Sequence, residues 1–328
     1  MPTRDDARWL DAAARLAARA RPLSRPNPAV AAIIVRAGIV VGRGWTLAGG
    51  RPHAEALALA EAGAAAQGAT LYVTLEPCAH PSARGPACAD LVAQSRLARV
   101  VIGCSDPDPR TAGKGMERIQ VAGIAAEIHP SPACRASLAG YLRQHTASRP
   151  HVTLKLAMSL DGCIALVGGE SQWITGEAAR AHGHALRAAS DAILIGGGTL
   201  REDSPSLDVR LPGLEHRSPQ RWVLTRGTVP PEWNVLHSPQ EITTAMPDVQ
   251  YLYIEGGAGA AAAFLGADLV DRLVLYRAPI LIGGGKAALG DIGLSSLAAA
   301  HNRWQLTDRR QLGNDTFEAY ERIPCSPE

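Results

Sequence analysis

The chain has 328 residues, 46% of them hydrophobic, with 33 Lys plus Arg against 31 Asp plus Glu and a net charge of +2. That length predicts two domains with ordinary buried cores. The near-neutral charge argues against a nucleic-acid or anionic-membrane binder, and no apolar run reaches the roughly 18 residues of a membrane span. Only three lysines (Lys114, Lys155, Lys286) stand against thirty arginines, a bias that in an alanine-rich chain reflects base composition.

The N-terminal stretch MPTRDDARWLDAAARLAARARP has the Ala and Arg of a transit peptide but also Asp5, Asp6 and Asp11. Trp9, Leu10, Ala13, Leu16 and Ala17 fall on one helical face, which predicts an amphipathic helix packed on a domain. Pro26-Asn27-Pro28 marks a turn, and Ala29 to Val35 and Ile39 to Trp45 read as a hairpin about Arg36-Ala37-Gly38. Pro52 precedes a helix over Ala54 to Ala66. Leu71 to Leu75 reads as a strand, a helix follows Cys88, and Val100 to Cys104 is another strand. Met116 to Ala122 reads as helix, Ile124 to Ile128 as strand and Ala133 to Gln144 as helix. This alternation predicts a layered α/β domain over residues 1–146, and the polar run His145 to Pro150 is the linker candidate.

The second domain, residues 150–323, restarts the pattern with a strand over Val152 to Met158 and a turn at Asp161-Gly162. Ala178 to Ala189 reads as helix, and the strand Ala192 to Ile195 ends in the turn Gly196-Gly197-Gly198-Thr199. Further strands are predicted at Arg221 to Thr225, Tyr251 to Ile254 and Leu273 to Tyr276, with a helix over Ala258 to Leu265. The fold class is therefore α/β in both halves, without an internal repeat.

The six cysteines (Cys78, Cys88, Cys104, Cys134, Cys163, Cys325) show no disulfide framework, which predicts a reducing, cytoplasmic setting. His53, Cys78 and Cys88 supply the three ligands of a hydrolytic zinc that keeps one position open for water. Glu55, two residues from the histidine at a loop-to-helix junction, is the candidate general acid/base. Cys78 follows a proline at an expected helix start, where unpaired N–H groups favour a thiolate. The pattern is the zinc-deaminase signature, H-x-E followed by P-C-x-x-C, with the second spacing widened to C-x9-C. A structural zinc with His80 as fourth ligand, or buried thiols without metal, are the alternatives.

In the second half, Glu255-Gly256-Gly257-Ala258-Gly259 follows a strand and opens an Ala-rich helix, a setting for a cofactor pyrophosphate. It is not a G-x-G-x-x-G fingerprint, so a Rossmann domain is not expected. Gly283-Gly284-Gly285-Lys286 lacks P-loop spacing and reads as a turn.

LEPCAHPSARGPAC resembles the bifunctional deaminase–reductase family of riboflavin biosynthesis, whose usual form is close to LEPCSHxGRTPPC. Here the loop is one residue longer, and Ala79 stands where serine is usual. The segment around Asn27-Pro28 and the run Asp106 to Gly115 also match, with Asp108 where asparagine is common. Past the linker, LKLAMSLDG, GGESQWIT, the Thr199–Asp203–Pro205 segment, Arg210 and IEGGAGAAAAFL continue the resemblance.

The resemblance implies a cytidine-deaminase-like three-layer domain followed by a dihydrofolate-reductase-like domain, with zinc and NADPH as cofactors. It implies hydrolytic deamination of 2,5-diamino-6-(5-phosphoribosylamino)pyrimidin-4(3H)-one, then reduction of the ribosyl group to ribityl. Asn27 and His80 would meet the first substrate, and Ser171, Arg187, Leu207, Arg210 and Glu255 the second, with both arginines suited to its phosphate. Ala157, Trp173, Thr199, Asp203, Gly257, Ala258 and Gly259 would line the cofactor. Asp203 is the candidate polar group beside the reacting carbon, a helix-capping role being its alternative, and Lys155 receives no role. The resemblance also implies a phosphorylated small-molecule substrate and a homo-oligomer. The rival functions are a deaminase with an inactive reductase-like domain, a deaminase of RNA or DNA bases, and a non-catalytic zinc module. Neutral charge and few aromatics count against the nucleic-acid reading.

Overall fold

The computed structural model describes residues 4–80 and 82–323, and the chain divides between Ser148 and Arg149 into two units. Pro81 and Cys325 lie outside the described residues. In the first unit, α1 (Arg4–Ala17) buries Leu10, Ala13, Ala14 and Ala17. It is pinned by Asp6, whose carboxylate accepts from Arg99 at 2.8 and 3.0 Å and from the Tyr72 hydroxyl at 3.0 Å. β1 (Ala31–Arg36) reverses through Ala37 and Gly38, at φ 50° and 77°, into β2 (Ile39–Trp45), a tight hairpin. α2 (Ala54–Ala62) lies directly on that hairpin because β2 carries glycine at the contact. A Cβ at Gly42 would stand 2.2 Å from the Ala58 carbonyl oxygen, and one at Gly44 2.3 Å from that of Ala54.

The remaining elements of this unit are β3 (Thr70–Val73), α3 (Cys88–Ala93), β4 (Arg99–Ile102), α4 (Lys114–Val121), β5 (Ala125–Ile128), α5 (Pro132–Ser137) and α6 (Ala139–Ala147). The sheet runs β2-β1-β3-β4-β5, with β3, β4 and β5 parallel and β1 antiparallel to both its neighbours. Ile34, Leu71, Val73, Val100 and Ile102 pack with α2, α3 and α4. Ile33, Val35, Tyr72 and Val101 pack with α1 and α5 on the other face. Covering both faces is what makes these strands read as unbroken apolar runs, and it gives three layers.

One expectation is corrected here. The single helix over Ala133 to Gln144 is two helices, broken at Leu138 (φ −101°, ψ 6°). The Ser137 hydroxyl donates to the Cys134 carbonyl at 2.8 Å, competing with the helical ladder at the break. The division between the units falls inside His145 to Pro150, the expected linker, although much of that run is ordered structure. α6 runs through Ala147, Ser148 ends it in the left-handed region, and Arg149 is buried against Asp271 with contacts of 2.6 and 2.9 Å.

The second unit comprises β6 (His151–Met158), β7 (Cys163–Ala165), α7 (Glu177–Ala188), β8 (Ala192–Gly196), α8 (Gly197–Asp203), β9 (Gln220–Leu224), β10 (Asn234–Leu236), α9 (Ile242–Ala245) and β11 (Tyr251–Ile254). α10 (Ala258–Gly266), β12 (Arg272–Arg277), β13 (Lys286–Ala287), β14 (Trp304–Leu312) and β15 (Asp315–Arg322) complete it. Its main sheet runs β10-β9-β8-β11-β6-β12-β15-β14, parallel from β10 to β12 and antiparallel beyond. α9 and α10 cover one face and α7 the other. The glycine run Gly196 to Gly198, expected as a turn, opens α8 instead. The β14–β15 hairpin was not anticipated. As an edge strand, β14 is mostly exposed and lacks an apolar run, so the only signal was its Gly313-Asn314 turn. Among the described residues no helix is long and apolar enough to cross a membrane.

Candidate active sites

In the first unit the site forms where three chain segments meet. His53 is the extended residue that opens α2, with φ −76° and ψ 164°, so its ring leaves the helix while Glu55 sits in the first turn. The His53 Nδ1 lies 3.2 Å from Cys88 Sγ and 3.6 Å from Cys78 Sγ, and the three donor atoms all lie within 4.8 Å of one another. Tetrahedral zinc with bonds of roughly 2.0–2.3 Å separates N and S ligands by about 3.5 Å, so the donor set fits that metal. Among the described residues the group contains no fourth His, Cys, Asp or Glu. His80, the proposed fourth ligand of a closed site, instead places its Nδ1 3.4 Å from the Thr111 hydroxyl.

One expectation about the thiols is corrected. Cys78 does not begin a helix; it lies in chain outside any helix or strand, and Cys88 is the residue that opens α3. The helix N-terminus still reaches Cys78, because the Cys88 backbone N–H donates to Cys78 Sγ at 3.3 Å. The Cys78 thiol is lowered, chiefly by the hydrogen bond from the Cys88 thiol and against the effect of burial. The same bond and burial push the Cys88 thiol up. Glu55 is 3% exposed, and burial raises its carboxyl above the ordinary range despite the nearby His53. Asn27 brings its amide 3.3 Å from His53 Nε2 and donates to the Gly50 carbonyl at 3.0 Å, so it orients the His53 ring.

Glu76 was not anticipated. Buried just before Pro77 and Cys78, it accepts from the backbone N–H of Gly113 and of Met116, each at 3.1 Å, across the start of α4. There a Cβ on Gly115 would stand 2.1 Å from the Pro77 carbonyl oxygen. The Asp106-to-Gly115 run is thus the bed on which the Glu-Pro-Cys turn rests. Within it Asp108 is held at about 2 by hydrogen bonds from Arg110. The lengthened loop is tied back toward His53, with Arg84 donating to the Gly49 carbonyl at 2.8 Å and Arg51 to that of Pro86 at 3.3 Å.

The second unit holds a cavity of about 1100 Å³ at the carboxyl ends of β6, β8 and β11. That exceeds the roughly 300–1,000 Å³ of a pocket for one drug-sized ligand, and strand carboxyl ends are where open α/β sheets bind ligands. Ser171, Arg187, Leu207, Arg210 and Glu255 all border it, as do Ala157, Trp173, Thr199, Asp203, Gly257, Ala258 and Gly259. Gly257 caps α10, and a Cβ there would lie 3.3 Å from Thr199 Oγ1, so the starts of α8 and α10 adjoin. Asp203 is the last residue of α8 and therefore caps no helix N-terminus.

Sequence reasoning missed the charge cluster of this cavity. Glu255 accepts from Arg187 Nε at 2.5 Å and Nη2 at 2.9 Å, and Lys155 Nζ stands 3.4 Å away. Burial would raise the Glu255 carboxyl, but Lys155 and Arg187 bring it down to about 2. Arg187 also donates to the Asp208 carbonyl at 2.9 Å, so much of its guanidinium is already engaged and its fit to a free phosphate is reduced. Arg210, held to Asp208 and Ser206, remains more than half exposed. The scarcity of lysine was the available signal: two of the three, Lys155 and Lys286, border this one cavity.

Comparison with known proteins gives the same division. A family model described as the cytidine and deoxycytidylate deaminase zinc-binding region matches residues 3–104, and one described as the RibD C-terminal domain matches residues 150–317. The chain is 38% identical to the riboflavin biosynthesis protein RibD of Mycobacterium tuberculosis, covering 88% of this chain and 89% of that protein. It is 35% identical to RibD of Escherichia coli, over 94% of this chain and 97% of that protein. The structure of Acinetobacter baumannii RibD matches with a TM-score of 0.85 and 34% identity, covering 97% of this chain and 99% of that one. A Thermotoga maritima structure titled diaminohydroxyphosphoribosylaminopyrimidine deaminase/5-amino-6-(5-phosphoribosylamino)uracil reductase matches with a TM-score of 0.83 and 28% identity, covering 97% and 99%. The chain belongs to the RibD family, the bifunctional riboflavin-biosynthesis enzymes in which a zinc-dependent deaminase precedes an NADPH-dependent reductase.

Proposed function

We infer that residues 1–146 deaminate a diaminohydroxyphosphoribosylaminopyrimidine and that residues 150–323 reduce the ribosyl chain of the resulting 5-amino-6-(5-phosphoribosylamino)uracil. The convergence of His53, Cys78 and Cys88 beside the buried Glu55 carries the first assignment. His53, Cys78 and Cys88 would hold a zinc ion, which would supply a water acidified toward neutrality. Glu55, buried in the first turn of α2 two residues from His53, is placed to accept a proton at its carboxylate and return one to the leaving amine. Asn27 and Glu76 position the ligands, and His80 and Asn27 face the substrate.

In the second unit NADPH supplies the hydride. Glu255 fixes Lys155 and Arg187 at the cavity wall, and the more exposed Arg210 presents positive charge to a phosphorylated substrate. Asp203 is assigned the proton at the reacting carbon's partner atom, while Ser171 and Leu207 complete the substrate side. Ala157, Trp173, Thr199, Gly257, Ala258 and Gly259 are assigned to the cofactor. The same reading sets the enzyme in the reducing cytoplasm, with five free cysteines among the described residues, and expects a homo-oligomer, which light scattering checks.

Glu55→Gln tests the core of this reading. Zinc content should stay at the wild-type level while ammonia release falls by about 10²–10⁴-fold, the usual scale for losing a general acid/base. Retained deamination would remove Glu55 from the mechanism.

A further inference from the structure

Trp173, assigned to the cofactor, borders the cavity on the loop that joins β7 to α7. It is 66% exposed, so packing contributes little to the orientation of its ring. A wall residue free to swing lowers the fraction of molecules ready to bind, and the apparent affinity falls by that fraction.

Two groups hold this loop where it enters α7. The buried Asp315, first residue of β15, accepts from the Gly176 N–H at 2.7 Å and ties the junction to the sheet. Arg180, in the first turn of α7 and also bordering the cavity, turns back on the loop. Its Nη1 donates to the Thr175 carbonyl at 2.6 Å, and its guanidinium carbon stands 4.9 Å from the centre of the Trp173 ring. A cation over an indole face within about 6 Å is attracted by the ring quadrupole, and a planar guanidinium also stacks on it. With one edge of the guanidinium pinned to Thr175, its face has a fixed direction, and the ring lying on it takes that direction. The other two arginines bordering the cavity differ, since Arg187 is held by Glu255 and Arg210 by Asp208. Arg180 pairs with no carboxylate among the described residues, so its charge is left to the ring.

We propose that Arg180 is a positioning residue of the reductase site: pinned by the Thr175 carbonyl, it holds the Trp173 ring in the orientation that receives NADPH. The inference rests on the assignment of Trp173 to the cofactor given above. The hold acts before the cofactor arrives, and once NADPH is bound the cofactor itself keeps the ring in place. Loss of Arg180 therefore acts on cofactor affinity and not on the chemical step.

The test uses the full-length, zinc-loaded protein with Arg180→Met, which keeps the stem without the charge, and Arg180→Lys, which keeps the charge without the plane. In Arg180→Met the KM for NADPH should rise about two- to fivefold, the scale of one exposed cation–π contact, while kcat stays within about twofold. Arg180→Lys should fall between that variant and wild type. The ring itself is read without cofactor: the share of tryptophan emission that Trp173→Phe removes should lose anisotropy in Arg180→Met before any NADPH is added. Trp173→Ala should raise the KM for NADPH, and Arg180→Met added to it should change nothing further, since the ring through which Arg180 acts is gone. An unchanged KM or an unchanged anisotropy in Arg180→Met would overturn the proposal. So would an undiminished effect of Arg180→Met in the Trp173→Ala background, a kcat that falls as far as KM rises, or an Arg180→Lys no better than Arg180→Met. A wild-type KM for NADPH in Trp173→Ala would instead refute the cofactor assignment on which the proposal rests.

Discussion

Replacing Glu255 with glutamine tests whether the charge cluster of the reductase cavity is what holds it together. The Glu255 side chain is 10% exposed and is shared between Arg187, 16% exposed, and Lys155, 24% exposed. Glutamine keeps the shape and one acceptor oxygen but leaves two buried cations facing each other without a counter-charge. Breaking a buried ion pair by removing one partner costs about 3–5 kcal/mol, and the retained acceptor puts this case near the lower end, about 3 kcal/mol. At about 2–4 °C per kcal/mol for a unit of this size, the melting transition of the second unit should fall by roughly 6–12 °C. Scanning calorimetry reads this directly, and the transition of the first unit should stay in place. Glu255→Gln combined with Lys155→Met, which removes one of the stranded charges, should recover part of the loss. A fall of less than about 2 °C in the single variant, or no recovery in the double, would refute the cluster as a source of stability.

Three further outcomes follow from the same geometry. Gly115→Ala drives a methyl group into the Pro77 carbonyl and should weaken zinc retention against a chelator, with a stability loss of about 1–3 kcal/mol, while reductase activity on deaminated substrate persists. Asp6→Asn, read by urea unfolding of the first unit, should cost about 2–4 kcal/mol, because Arg99 and Tyr72 lose the carboxylate they share. The Glu255 carboxyl is depressed in the folded state, so its contribution is complete above its unfolded value near 4.5 and is lost as pH falls toward about 2. Acid titration of the second unit should therefore show the Glu255-dependent loss only below pH about 4.5, and Glu255→Gln should abolish that part of the dependence.

What could be read from the sequence is what lies within a local motif. His53 and Glu55 are two residues apart and Cys78 announces itself after Glu76-Pro77, so the deaminase donors could be named before their geometry was known. Residues whose partners are distant in the chain could not. Glu76 finds its N–H donors 37 and 40 residues later, and Lys155 meets Glu255 across 100 residues, with nothing local marking either meeting. Arg187 shows the same limit from the other side. Its type suggested a phosphate, and only the fold reveals that Glu255, 68 residues away, already engages it. The helices were legible where periodicity is strong, as in α1 and α7. The break at Leu138 and the exposed β14 were not, because one depends on a serine hydroxyl and the other on an edge with little apolar surface.

The central claim is that two sites act in sequence on one substrate, and coupled assay of ammonia release and NADPH oxidation tests it most directly. On the diamino pyrimidine, wild type should release ammonia and then consume NADPH. Glu55→Gln should do neither, yet oxidise NADPH normally once the deaminated pyrimidine is supplied. Asp203→Asn should release ammonia at the wild-type rate with NADPH untouched. NADPH oxidation by Glu55→Gln on the undeaminated substrate, or none by wild type on the deaminated one, would contradict the account.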